Sequence, residues 1–249
     1  MKTFLMKFKD NWYRDIDAWD ISKRNELDDR FDSRLCEKFR VHGEEFAHHL
    51  FYMTVMKKTQ RLSRAMYQSL FQHFSAMFGL SSYVPSISGT CLTMGTTEVT
   101  SVPDLIFPDL SSVNENDEKL KVLAVCQIKG DFVKSEESTD RTTGDNERVV
   151  LQHINDCLQG QHGEDLLVHF PLSTYQGLLG LIVQKTNVTF SYFDCNKMQF
   201  DEIHSCSSTI PNKPYIYYSK PYNYLRANDR KELIEPLLRL GFIQCNPYK

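Results

Sequence analysis

Leu120-Lys121-Val122-Leu123-Ala124-Val125-Cys126-Gln127-Ile128-Lys129 has the length and apolar content of a strand buried on both faces, and it ends in charge. Alternation with a period of two sends Gln127 and Lys129 to one side and Cys126 and Ile128 to the other, so polar groups converge at one end of a core strand. Twenty-two residues separate Gln127 from Asp104, within Val102-Pro103-Asp104-Leu105-Ile106-Phe107. If the strand bearing Asp104 pairs with this one, a carboxylate, an amide oxygen and an ammonium group meet within a few ångströms.

Upstream, residues 87–100 are rich in Thr, Ser, Val and Gly, which predicts two strands and a turn. Before them, Phe46, Leu50, Met53 and Lys57 step by four and three, and Leu62, Met66, Leu70, Phe74 and Met77 continue a helical pattern over 60–78, with Gly79 as its stop. Residues 1–40 carry the aromatic anchors Phe4, Phe8, Trp12, Tyr13 and Trp19 among alternating charges, an arm of short helices or irregular chain.

Downstream, the polar stretch 135–146 reads as a surface loop. A helix over 147–161 follows, with Val150, Leu151, Ile154, Cys157 and Leu158 inward, Gln152 on another face, and Gly160 and Gly163 ending it. Segments 178–184 and 188–193 predict a hairpin, 215–219 another strand, and 229–240 a last helix capped by Asn228 or Asp229, kinked at Pro236 and stopped by Gly241. The expected fold class is α/β: a central mixed β-sheet flanked by helices over 83–249, with an N-terminal helical region, 1–82, packing on it in one continuous unit.

A chain of 249 residues, 41% hydrophobic, can bury a full core. Seven scattered cysteines with no C-x-x-C pair exclude a zinc ribbon and a disulfide framework, and read as free thiols, mostly buried. No signal peptide and no apolar run long enough to span a bilayer is found, so an intracellular protein of cytoplasm or nucleus, without membrane association, is expected. A formal charge of −3 leaves any nucleic-acid contact to a local patch. Lys57, Lys58, Arg61 and Arg64, between the two N-terminal helical patterns, form the best one; as a solvated helix junction they need no such role.

An Asp oxygen beside other oxygen ligands suits Mg²⁺ or Mn²⁺, and a neighbouring lysine can orient a water and offset transition-state charge, which points to phosphodiester hydrolysis. In Asp104, Gln127-Ile128-Lys129 and the helix after them, the chain resembles the PD-(D/E)XK nuclease superfamily, whose pattern is an Asp on one strand, then an acid, any residue and Lys on the next, followed by a helix. The resemblance covers about 87–162. It implies a restriction-endonuclease-like core, Asp104 as metal ligand, Lys129 as catalytic lysine, and Gln152 as the supporting polar residue of the helix. Crinkler-type nuclease domains belong to the same similarity.

Gln127 departs from the pattern, standing where an acid is usual, and a neutral amide oxygen forgoes charge attraction for the metal. Glu98, by strand parity, or Glu44 or Glu45, from the upstream helix, could compensate. The expected partner is nucleic acid, DNA ahead of RNA, with a homodimer or protein partner left open. The rival reading is a catalytically inactive nuclease-like module that binds nucleic acid or a protein. Two further constellations are His42-x-x-Glu45-x-x-His48-His49, with metal-capable groups on one helix, and the Tyr-rich stretch 215–224, which could stack bases or form an edge strand. No G-x-S-x-G elbow and no P-loop is present.

Overall fold

The computed structural model describes residues 29–86, 89–110, 120–130, 154–206 and 213–245, the side chains of 29–36 and 245 excepted. The anchors of the N-terminal arm, the loop 135–146 and Gln152 lie outside the described residues. The order is α1 (Asp29–Met56), α2 (Arg64–Ala76), β1 (Thr90–Met94), β2 (Thr97–Ser101), β3 (Leu105–Pro108), β4 (Val122–Lys129), α3 (Asp156–His169), β5 (Leu178–Gln184), β6 (Asn187–Asp194), α4 (Lys197–His204), β7 (Tyr215–Tyr218), β8 (Tyr222–Asn223) and α5 (Ala227–Cys245).

The predicted buried strand is β4. All its residues but Lys129 are buried, and it lies inside a sheet ordered β3-β4-β5-β6-β7, with β8 on β6. Among the pairs of described strands in this sheet only β4–β5 is parallel; β3–β4, β5–β6, β6–β7 and β6–β8 are antiparallel. The sheet is therefore mixed and the fold α/β. A parallel pair needs a crossover, and α3 stands between β4 and β5 in the chain.

One sheet face carries Leu105, Phe107, Ala124, Cys126, Ile128, Leu181 and Val183 against Phe46 of α1, Leu70, Phe71 and Phe74 of α2, and Leu233 and Leu237 of α5. The N-terminal helices thus share the main core with the sheet. Tyr224 lies inside this core with its ring stacked on Phe74 at 4.6 Å, and burial raises its phenol pKa far beyond its ordinary value. The other face carries Ile106, Val122, Val125, Leu178 and Phe193 against Leu166 of α3 and Phe200 of α4.

Three helices have boundaries that differ from expectation. The first helix begins at Asp29. Helix α3 starts at Asp156 because the Asn155 side chain accepts from Leu158 N (2.9 Å), and it runs through Gly160 and Gly163 to His169. Gly163 is no terminator: a Cβ there would lie 3.6 Å from Ile216 Cδ1 of β7, in ordinary contact. In consequence Cys157 is exposed, not inward.

Helix α5 likewise continues through Pro236 and Gly241 to Cys245. Gly241 is required by close approach, since a Cβ there would meet Phe78 O at 2.1 Å. Three residues on, Gln244 fixes the helix end: its Nε2 donates to Ser81 O (2.7 Å) and Pro108 O (2.8 Å), and its Oε1 accepts from Ser81 N (2.7 Å).

Among the described cysteines all are free thiols, as expected, but Cys91, Cys157 and Cys206 are exposed and only Cys126 and Cys195 are buried. No described helix is long and apolar enough to cross a membrane.

Candidate active site

Strands β3 and β4 pair with Leu105 opposite Cys126, so the next position places Asp104 opposite Gln127. Asp104 is held from two elements. Its backbone N donates to Cys126 O (2.9 Å) and its Oδ2 accepts from Ile128 N (2.6 Å), while from α2 Gln68 Nε2 reaches its carbonyl (3.0 Å) and Arg64 pairs with its Oδ1. Gln127 is buried to 1%, and its Oε1 has no hydrogen-bond partner among the described residues. Cys126, on the opposite face, is a core thiol whose pKa burial pushes well above the ordinary value.

Lys129 is half-buried at the strand end, and its Nζ donates to Gln161 Oε1 of α3 (2.7 Å). Its pKa is lowered, first by burial and then by the Arg64 charge, against the pull of Asp104 and Asp165. Asp165 lies one helical turn beyond Gln161, hence on the same face of α3. It is buried to 3%, its Oδ1 accepts from Ser101 Oγ (2.5 Å), and its Oδ2 has no partner among the described residues. Burial raises its pKa to about 6, with Asp104 adding to the rise and Ser101 and Lys129 opposing it.

Helix α3 is seated here by a second buried contact, His162 Nε2 to Ser191 Oγ of β6 (2.6 Å). Burial lowers the His162 pKa to about 4, so the ring is neutral at pH 7. Gly180 makes room for this pair: a Cβ there would lie 2.3 Å from Ser191 Oγ and 2.4 Å from His162 Nε2.

Asp104, Gln127 and Lys129 are thus brought to one end of paired strands, with Asp165 close enough for its charge to act on them. The donor set of Asp104, Gln127 and Asp165 is all oxygen, which suits a hard divalent cation. Two of its oxygens, Gln127 Oε1 and Asp165 Oδ2, are buried and lack partners among the described residues, as groups prepared for such a ligand would be.

Other predicted residues are placed elsewhere. Gln152 lies outside the described residues, and the α3 side chain that meets Lys129 is Gln161. Glu98 is exposed on the separate β1–β2 ribbon, where its Oε1 accepts from Cys91 Sγ (2.6 Å). Strand parity fails for it because the chain leaves the ribbon after Ser101 and enters the main sheet only at Leu105. Glu44 and Glu45 sit on α1, where the Glu45 carboxylate meets His42 and His73. His73 is nine residues from Arg64 along α2, roughly 13 Å, so Glu45 is remote from Asp104.

Lys57, Lys58 and Arg61 are exposed at the α1–α2 junction, but Arg64 turns inward to Asp104. Lys185, at the β5–β6 turn, joins the patch: Lys57 and Arg61 lower its pKa after burial has done so, and its backbone N donates to Lys129 O (2.9 Å). A basic strip therefore runs from Lys57 and Arg61 through Lys185 to Lys129.

No family model, no curated protein and no solved structure matches this chain.

Proposed function

We propose that this chain is a metal-dependent nuclease with a restriction-endonuclease-like core, hydrolysing phosphodiester bonds in DNA ahead of RNA. The reading is carried by Asp104 lying opposite Gln127 across β3 and β4, with Lys129 two residues on and Asp165 delivered by the helix that follows. The antiparallel β3–β4 pair and the crossover through α3 to a parallel β5 agree with such a core.

Asp104, Gln127 and Asp165 would hold Mg²⁺ or Mn²⁺, which when bound supplies charge neutralisation at the phosphate and a more acidic water. Lys129, its ammonium steadied by Gln161, orients the attacking water and offsets the negative charge of the transition state. Arg64 neutralises Asp104 in the free protein and is placed to exchange that carboxylate for a phosphate oxygen. The basic strip guides the nucleic-acid backbone toward these groups.

Purified protein incubated with single- and double-stranded DNA and RNA in Mn²⁺ or Mg²⁺ is expected to cleave one of them, and Asp104→Ala and Lys129→Ala, confirmed as folded, are expected to lose that activity. Cleavage that persists in both variants, or intact substrates throughout with folded wild type, would reject the reading.

A second reading, a catalytically inactive module that binds nucleic acid or a protein, draws on two observations. Gln127 is uncharged, and both carboxylate oxygens of Asp104 are already engaged by Arg64 and Ile128 N. Salt-sensitive binding of DNA without cleavage would favour it.

A further inference from the structure

Helices α1 and α2 run antiparallel, as contacts along their seam show: Lys38 Nζ reaches Gly79 O (3.4 Å) at one end and His49 Nε2 reaches Met66 O (2.9 Å) toward the other. Between these contacts, His42 and Glu45, three residues apart, share one face of α1. Glu45 Oε2 lies 2.9 Å from His42 Nδ1 and 3.1 Å from His73 Nδ1 of α2. One potential ligand atom from each of the three residues lies within 4.8 Å of the others. The cluster borders a cleft of about 380 Å³, also lined by Ser69, Gln72 and Ser81.

We propose that His42, Glu45 and His73 form a binding site for Zn²⁺ or a similar transition-metal ion, distinct from the Asp104 site. Two imidazoles and a carboxylate are the ligand types such ions select, whereas the all-oxygen set at Asp104 suits Mg²⁺ or Mn²⁺. Bonds of about 2.0–2.1 Å in tetrahedral array place neighbouring ligand atoms roughly 3.3 Å apart, so the two Glu45–imidazole separations need open by only a few tenths of an ångström, while the two imidazoles, within 4.8 Å of each other, settle to the same spacing. Three protein ligands leave a fourth position for water on the cleft side. The ion joins α1 to α2, because the ligands come from both helices. The sequence pattern grouped His42, Glu45, His48 and His49 on one helix, but the described cluster joins His42 and Glu45 to His73 of the second helix, and His48 is exposed outside it.

The chelator-treated 249-residue chain is titrated with Zn²⁺ against a chromophoric chelator, and separately with Co²⁺ followed by visible absorption. The expected result is one saturable site with the absorption of low-symmetry Co²⁺ bound by nitrogen and oxygen, and a Tm raised by Zn²⁺. In His73→Gln and Glu45→Gln the affinity should fall at least about tenfold, and in His48→Gln it should be unchanged. Glu45 is exposed, so its variant keeps the comparison sound if His73→Gln fails to fold. No saturable binding, affinity undiminished in Glu45→Gln, or a sulfur-to-cobalt charge-transfer band, which would assign the ion to cysteines, overturns the proposal. None of these readouts depends on nuclease activity.

Discussion

Gln161 Oε1 accepts a 2.7 Å hydrogen bond from the Lys129 ammonium, tying α3 to the end of β4. The proposed nuclease needs that ammonium held at the attacking water, so Gln161→Ala is expected to lower kcat about tenfold or more with little change in KM. Gln161 is exposed, and the fold should be unaffected. Gln161→Glu tests the electrostatics. Burial and Arg64 lower the Lys129 pKa; a carboxylate beside it opposes both and should move the alkaline limb of the kcat–pH profile upward. Unaltered kcat and pH limb in both variants would remove Gln161 from the site.

Asp165 sets a pH dependence of stability. Its folded pKa, about 6, lies above the ordinary 3.8, because burial penalises the charged form. Below about pH 3.8 both folded and unfolded chains hold the proton. Between 3.8 and 6 only the folded chain does, so this contribution declines as pH rises, and above 6 the full cost stands, on the order of 3 kcal/mol. Asp165→Asn should therefore stabilise the protein at pH 8, with a gain that shrinks as pH falls toward 4, and should lose metal-dependent cleavage. Urea unfolding of wild type and variant across this range isolates the group. A gain independent of pH would place its origin elsewhere.

Asp165 was legible in principle and missed for a physical reason. Gln161 and Asp165 are spaced i, i+4 and mark one helix face, but Gly160 and Gly163 read as a stop. The folded chain keeps the helix going because Asn155 caps it and Leu158 and Leu166 are buried beneath it, which outweighs glycine's intrinsic cost. Gly241 misleads in the same way, its small size serving the approach of α5 to Phe78. The β4 strand, the β5–β6 hairpin and the Asp104–Gln127–Lys129 grouping were readable because a continuous apolar run, the alternation of side chains along a strand and short-range pairing are local properties. The Arg64–Asp104 pair and the Ser101–Asp165 bond span the chain, and no spacing rule announces them.

The basic strip yields a prediction about salt. Lys57, Arg61 and Lys185 lie near enough for their charges to act on one another, beside the Lys129 strand end. If each contacts a phosphate, Lys57→Gln, Arg61→Gln and Lys185→Gln should each reduce the slope of log K against log salt for DNA binding by about 1, with the combined variant losing about 3. Lys197→Gln on α4 serves as the control. Equal slopes in all variants would show that the strip does not meet the backbone.

Gln127 decides between an active and a silent site. It is buried to 1%, and its Oε1 lacks a partner among the described residues. Replacing it with Glu supplies the acid that the proposed nuclease reading expects at this position, but puts a carboxylate where burial penalises charge. In EDTA at pH 8, Gln127→Glu should lose about 1–3 kcal/mol of stability, because an unpaired charge is buried. Added Mn²⁺ should repair that loss if the site holds a cation, since binding to the folded state alone stabilises it by RT ln(1 + c/Kd), a term that grows with the free Mn²⁺ concentration c. Cleavage at limiting Mn²⁺ should then exceed wild type several-fold. A stability loss that Mn²⁺ leaves unrepaired would mean that the orphaned oxygen marks no metal position, and the binding-module reading would become the better account of Asp104 and its Arg64 partner.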